Sequence, residues 1–121
     1  MKPGDFCTVW FPFSHSEPAP FKKRPVLVLS ITTKGAPGDE AVLVAMVTGN
    51  PERFANPGPG DFKITRWDEA GLASASTVRS RRLWTAERRD FDKYLGTLDA
   101  DTFAKVSAEV RSLMPPEALA E

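Results

Sequence analysis

Two nearly continuous apolar runs, Pro25-Val26-Leu27-Val28-Leu29-Ser30-Ile31 and Ala41-Val42-Leu43-Val44-Ala45-Met46-Val47-Thr48, are joined by a short linker. This pair constrains the fold more than any other feature. Neither run alternates and both are rich in β-branched residues, the pattern of strands covered on both faces. The linker, residues 33–39, holds two glycines and a proline. It is too short for a crossover helix, so the strands pair antiparallel as a hairpin. Counting outward from the loop, facing residues have numbers that sum to about 72, as for Thr32 and Glu40. In that register Arg24 lies opposite Thr48, with their Cα atoms roughly 5 Å apart.

The rest of the chain supplies more short strands and then one helix. Phe6-Cys7-Thr8-Val9-Trp10-Phe11 ends at Pro12 and reads as a first strand, and residues 14–23 form a polar, proline-spaced loop. Gly49-Asn50-Pro51 is a turn, and the Pro/Gly-rich stretch 56–60 is a mobile loop. Phe62-Lys63-Ile64-Thr65, Ser76-Thr77-Val78-Arg79 and Tyr94-Leu95-Gly96-Thr97-Leu98 are further strands. Asp99 is a good N-cap for a helix whose apolar face is Phe103, Val106, Val110 and Leu113, and Pro115-Pro116 stops it. The expected fold is mainly β with a C-terminal α-helix, a small SH3-like, partly closed β-barrel. It forms a single domain over residues 1–121, with a core at about 3–114 and a short tail at 115–121.

A chain of 121 residues with 41% hydrophobic content can bury one modest core. No apolar run approaches the roughly 18 residues of a membrane span. The polar start, Met1-Lys2-Pro3-Gly4-Asp5, lacks the apolar stretch of a secretory signal, so the expectation is a cytoplasmic protein. One cysteine and one histidine make neither an internal disulfide nor a usual zinc site, so no metal or other cofactor is expected. Cys7 reads as a small buried residue and Trp10 as core.

Net charge is zero, but the charges are segregated. Lys22, Lys23 and Arg24 are consecutive, and Arg79, Arg81, Arg82, Arg88 and Arg89 crowd one stretch; acids gather toward the C-terminus. Two interpretations fit: a solvated, salt-bridged face, or a local positive patch that attracts polyanions. Arg24 and Thr48 admit a similar pair of interpretations. A guanidinium fork and a hydroxyl at one end of a barrel suit a phosphate. Equally, Arg24 could cap a strand edge and Thr48 be an ordinary strand residue.

Several short motifs occur in a fixed order: Pro3-Gly4-Asp5, Trp10-Phe11-Pro12-Phe13, Arg24-Pro25-Val26-Leu27-Val28-Leu29-Ser30, Val44-Ala45-Met46-Val47-Thr48, Ala70-Gly71-Leu72 and Ser76-Thr77-Val78-Arg79. A closing segment, residues 83–113, includes Gly96-Thr97-Leu98 before the helix. In this order and over about residues 3–114 the chain resembles the PemK/MazF-like toxins. The resemblance implies the toxin of a type II toxin–antitoxin system, an SH3-like homodimer checked by a cognate antitoxin. It also implies a metal-independent endoribonuclease that cuts single-stranded RNA at short sequences. The ribose 2′-OH would attack the adjacent phosphate, leaving a 2′,3′-cyclic phosphate and a 5′-OH.

By the same resemblance, the catalytic pair falls on Arg24 and Thr48. Arg24 would stabilise charge in the transition state, with proton transfer as a second role, and Thr48 would orient the phosphate. Arg79, Lys22, Lys23, His15 and Arg81 are the RNA-binding candidates. Each has a plainer interpretation as a solvated or ion-paired surface residue. Trp67 and Trp84 are candidates for stacking on bases. The chain departs from the family pattern at Arg81, where some members carry an acidic residue, and in the proline-rich loop Ser14-His15-Ser16-Glu17-Pro18-Ala19-Pro20. The alternatives are a catalytically silent relative that binds RNA or an antitoxin, and a barrel used only for protein contacts.

Overall fold

In the computed structural model, residues 1–12, 21–33, 35 and 39–113 are described. The central hairpin forms as the apolar runs require. β2 (Phe21–Thr33) and β3 (Glu40–Thr48) pair antiparallel, and β1 (Asp5–Pro12) pairs antiparallel along the other edge of β2. After β3 come a short helix α1 (Pro51–Ala55), β4 (Asp61–Ile64), the long β5 (Ser76–Glu87), a single 3-10 turn (Arg88–Asp90), β6 (Phe91–Thr97) and α2 (Ala100–Ser112). The six strands form one antiparallel sheet in the order β4-β5-β3-β2-β1-β6, curled into a partly closed barrel.

The register of the hairpin follows the expected count over Val26–Val28, stops short of the expected Arg24–Thr48 pair, and is one residue off at the loop. Val26↔Met46, Leu27↔Ala45 and Val28↔Val44 follow the expected count, whereas Thr32 faces Ala41 and Glu40 faces Thr33. A bulge at Leu29 absorbs the difference. It also reverses which face the following residues use. Val26 and Val28 join one apolar cluster with Cys7, Val9, Val42 and Val44, and beyond the bulge Ile31 packs against that same cluster. Leu27, Ala45 and Val47 point to the other face, where Phe6, Ile64, Val78 and Leu98 meet Val106 and Val110 of α2. Strands with apolar residues on both faces therefore sit between two apolar clusters, which is why the runs do not alternate.

α2 starts at its Asp99 N-cap, whose carboxylate accepts the Thr102 N–H at 2.9 Å. Val106 and Val110 are buried and Phe103 packs beside them, but Leu113, expected on the same face, is exposed. Several other expectations are corrected. β2 begins at Phe21, inside the expected first loop, and β5 runs eight residues past Arg79 to Glu87. Residues 51–55, after the expected turn, form α1, because Asn50 caps the N–H groups of Glu52 and Arg53 and Pro51 occupies the first turn. Trp10 is not core: it is 42% exposed and lies under the Lys23 ammonium at 5.3 Å. Cys7 is buried as expected.

The edge strands β4 and β6 do not pair with each other. The segment between β4 and β5 instead crosses β6, with Ala70 and Gly71 against the backbone of Leu95 and Gly96. A Cβ on Gly71 would collide with the Leu95 carbonyl, and one on Gly96 with the Ala70 carbonyl. Gly71 also has φ +84°, so glycine serves two needs there.

Candidate active site

Arg24, Met46, Val47, Thr48, Arg79 and Arg82 line a single open cleft of about 290 Å³. The ladder between β2 and β3 explains its position. The ladder stops at Val26↔Met46, and Pro25, with no N–H to offer, falls just beyond it. Past that point the strands carry Arg24 and Thr48 without pairing to each other, and the space between them opens. Arg24 is half-buried and its backbone stays paired with Val9 of β1. Thr48 Oγ1 accepts the Asn50 N–H at 3.2 Å. With one lone pair so engaged, its O–H is left to donate toward the cleft.

The other wall comes from β5 through an irregularity that the sequence hides. Opposite β3 the register jumps from Ala45↔Leu83 to Met46↔Arg79, so Ser80, Arg81 and Arg82 bulge out of the ladder. Ser80 is fully buried and pins the bulge, its N–H and its hydroxyl both donating to the Gly60 carbonyl, at 2.9 and 2.6 Å. The 56–60 stretch, expected to be mobile, is thus tied to β5 at Gly60. A regular strand would put Arg79 and Arg81 on one face. The bulge brings Arg82 to the cleft instead, and Arg81 pairs with Glu109 of α2 at 3.4 Å.

The two interpretations of the arginine-rich stretch therefore divide the residues between them. Arg81, Arg88 and Arg89 form ion pairs with Glu109, Glu40 and Glu87. Arg79 and Arg82 line the cleft, and Arg82 makes no ion pair among the described residues. Behind Arg79 lies the Asp61 carboxylate, whose side chain is only 4% exposed and whose Oδ1 is 3.6 Å from Arg79 Nε. The described cleft lining thus carries three guanidinium groups, one hydroxyl and no carboxylate.

Of the expected site residues, the structure brings together Arg24, Thr48 and Arg79. It does not bring in Lys23, which pairs with Asp92 at 3.2 Å and covers Trp10, or Arg81. His15 and the side chain of Lys22 lie outside the described residues. Trp67 and Trp84 are half-buried against the two apolar clusters and do not line the cleft. Arg82 and Asp61 were not expected at the site. The only sequence signal for Arg82 is the adjacent Arg81-Arg82 pair, which cannot share one face of a pleated strand. Among the described residues no group of three or more His, Cys, Asp or Glu could jointly hold a metal ion. None of the helices there is long and apolar enough to cross a membrane.

This fold is that of solved toxin structures. A MazE–MazF crystal structure (form II) from Deinococcus radiodurans matches with TM-score 0.65 at 22% identity, over 93% of this chain and 94% of that one. The Mycobacterium tuberculosis toxin MazF-mt6 matches with TM-score 0.60 at 20% identity, over 88% and 90%. An endoribonuclease in complex with its cognate antitoxin, from a mycobacterial species, matches with TM-score 0.59 at 14% identity, over 96% and 99%. No curated protein sequence matches the chain. The family model for the PemK-like, MazF-like toxin of type II toxin–antitoxin systems matches residues 2–114. With nearly its whole length matched by that model, the chain belongs to the PemK-like, MazF-like toxin family.

Proposed function

We propose that the chain is a toxin endoribonuclease that cuts single-stranded RNA within the Arg24–Thr48 cleft. The observation that carries this reading is the convergence of Arg24, Arg79, Arg82 and Thr48 on one cleft whose described lining holds no acid. Such a lining favours a phosphate, and most of all a phosphate gaining charge.

In the proposed step the ribose 2′-oxygen bonds to the adjacent phosphorus and gives up its proton to water, which also supplies the proton for the leaving oxygen. The bond from phosphorus to the 5′-oxygen breaks, and that oxygen takes a proton to become a 5′-OH. The products are a 2′,3′-cyclic phosphate and a 5′-hydroxyl end. Arg24 opposes the extra negative charge on the non-bridging oxygens, in place of a metal ion. Thr48 donates its O–H to one of those oxygens, its acceptor side being held by Asn50. Arg79 holds the strand in line for attack, an interaction tightest in the transition state, and Arg82 holds it by a neighbouring phosphate. The requirement for a 2′-OH restricts the substrate to RNA.

A cognate antitoxin, a homodimeric state and a cytoplasmic site of action belong to the same proposal. The solved complexes of related toxins with antitoxins support the first. One observation favours a second reading, a silent RNA- or antitoxin-binding module: the described cleft lining offers neither carboxylate nor imidazole to take the 2′-OH proton. A substrate with one 2′-deoxyribose at the cut site separates the two. The enzyme reading predicts cleavage of the all-RNA strand and none of the substituted strand, with equal binding of both. Binding of both without cleavage of either supports the silent module.

A further inference from the structure

The geometry points to Asp61 as a positioning residue, one that holds Arg79 from behind so that the terminal nitrogens of its guanidinium face the cleft. This rests on the proposed RNA site and adds a residue that touches no RNA. Asp61 opens β4 and sits directly opposite Arg79 in the β4–β5 ladder. Its Oδ2 accepts the Gly58 N–H at 2.9 Å and Arg53 Nη1 at 3.4 Å, which leaves Oδ1 toward Arg79. Arg79 Nε is buried without a hydrogen bond, and Asp61 Oδ1 lies 3.6 Å away. A buried donor with no opposing charge would draw the guanidinium out toward water.

The surroundings look built to hold this carboxylate. The paired bonds from Ser80 to the Gly60 carbonyl fix the residue before it. Arg53 belongs to α1, and the N-cap of α1, Asn50, donates its N–H to Thr48 Oγ1. One short connected run, Thr48–Asn50–Arg53–Asp61–Arg79, thus braces both walls of the cleft.

The charge of Asp61 works against RNA binding, and this makes the inference testable. If overall charge were all that mattered, Asp61→Asn would tighten RNA binding and speed turnover. A positioning role predicts a split: KM unchanged or lower, and kcat lower by at least about tenfold. In an Arg79→Gln background the same substitution should change kcat by less than about twofold, because the group it acts through is gone. Losses that simply multiply would overturn the proposal, as would an unchanged kcat in folded Asp61→Asn. Should Asp61→Asn fail to fold, Arg53→Gln, a change at the more exposed partner of the same carboxylate, replaces it. That variant should lower kcat about threefold with Arg79 present and not in its absence, and multiplying losses again overturn the proposal.

Hydrogen exchange of the Arg79 Nε–H, read by NMR in the full chain without RNA, does not depend on catalysis. It should be at least about tenfold faster in Asp61→Asn than in the unaltered protein. Equal rates would overturn the positioning role. If the unaltered protein cuts no RNA, the proposed function falls while the exchange rates still decide the role of Asp61.

Discussion

Arg81 pairs with Glu109 of α2 at 3.4 Å, and that pair faces away from the cleft lined by Arg79 and Arg82, two and one residues away. Three neighbouring arginines therefore take two different positions, and the division is set by the bulge at residues 80–82.

Substitution should reveal that division. Arg82→Ala should weaken binding to a single-stranded RNA and reduce the slope of log affinity against log salt by about 0.7, the loss of one phosphate contact. Arg81→Ala should leave affinity within about twofold and cost at most about 1 kcal/mol of stability, since its ion pair is exposed. Fluorescence anisotropy across a salt series measures the first effect and urea unfolding the second. A salt slope altered by Arg81→Ala and not by Arg82→Ala would contradict the bulge assignment.

Acid should weaken the fold through Asp5. Burial by itself pushes this carboxyl up. The Lys2 ammonium, the Lys2 N–H and the Thr97 hydroxyl outweigh it and hold the carboxyl below the usual carboxylate range. A folded-state pKa below the unfolded one gives stability that is complete above about pH 4 and lost as pH falls through the folded value. Asp99, bonded to the Thr102 N–H and hydroxyl, is shifted the same way and adds to the effect. Asp5→Asn should cost about 1–3 kcal/mol at pH 7 and less at pH 2 to 3, where the unfolded chain's carboxyl takes up a proton and part of the stabilisation is lost. Urea unfolding at the two pH values tests this, and an equal cost at both would count against it.

The crossing of Ala70–Gly71 over Leu95–Gly96 leaves no room for a methyl group. Gly96→Ala should destabilise the protein by about 3 kcal/mol, through overpacking against the Ala70 carbonyl. Gly35→Ala is a useful contrast, for a Cβ there meets nothing within 4 Å. Its cost should come only from its positive φ of +121°, about 1 kcal/mol. Denaturant midpoints of the two variants give the comparison, and a smaller loss at Gly96 than at Gly35 would refute the packing argument.

Much of this was legible in the sequence because its signals were local. The two apolar runs and the short linker define the β2–β3 hairpin, and the Asp99 cap with Val106 and Val110 defines α2. Arg24 and Thr48 could be placed together because a hairpin register needs only counting, and the one-residue bulge at Leu29 cancels the one-residue error at the loop. What stayed hidden depends on contacts distant in the chain. The three-residue bulge that exchanges Arg81 for Arg82 is pinned by Gly60, twenty residues before Ser80. Trp10 looked like core by residue type, but Lys23, paired with it across β1 and β2, shelters its ring at the surface. Asp61 reads as an ordinary loop acid until β4 is placed beside Arg79.

The most direct test is cleavage of a long single-stranded RNA by the purified protein in excess chelator, beside Arg24→Ala, with the product ends identified. The account predicts cutting that persists in chelator, leaves 2′,3′-cyclic phosphate and 5′-hydroxyl ends, and falls by at least about a hundredfold in the variant. Cutting that stops in chelator, or that proceeds equally in folded Arg24→Ala, would contradict it.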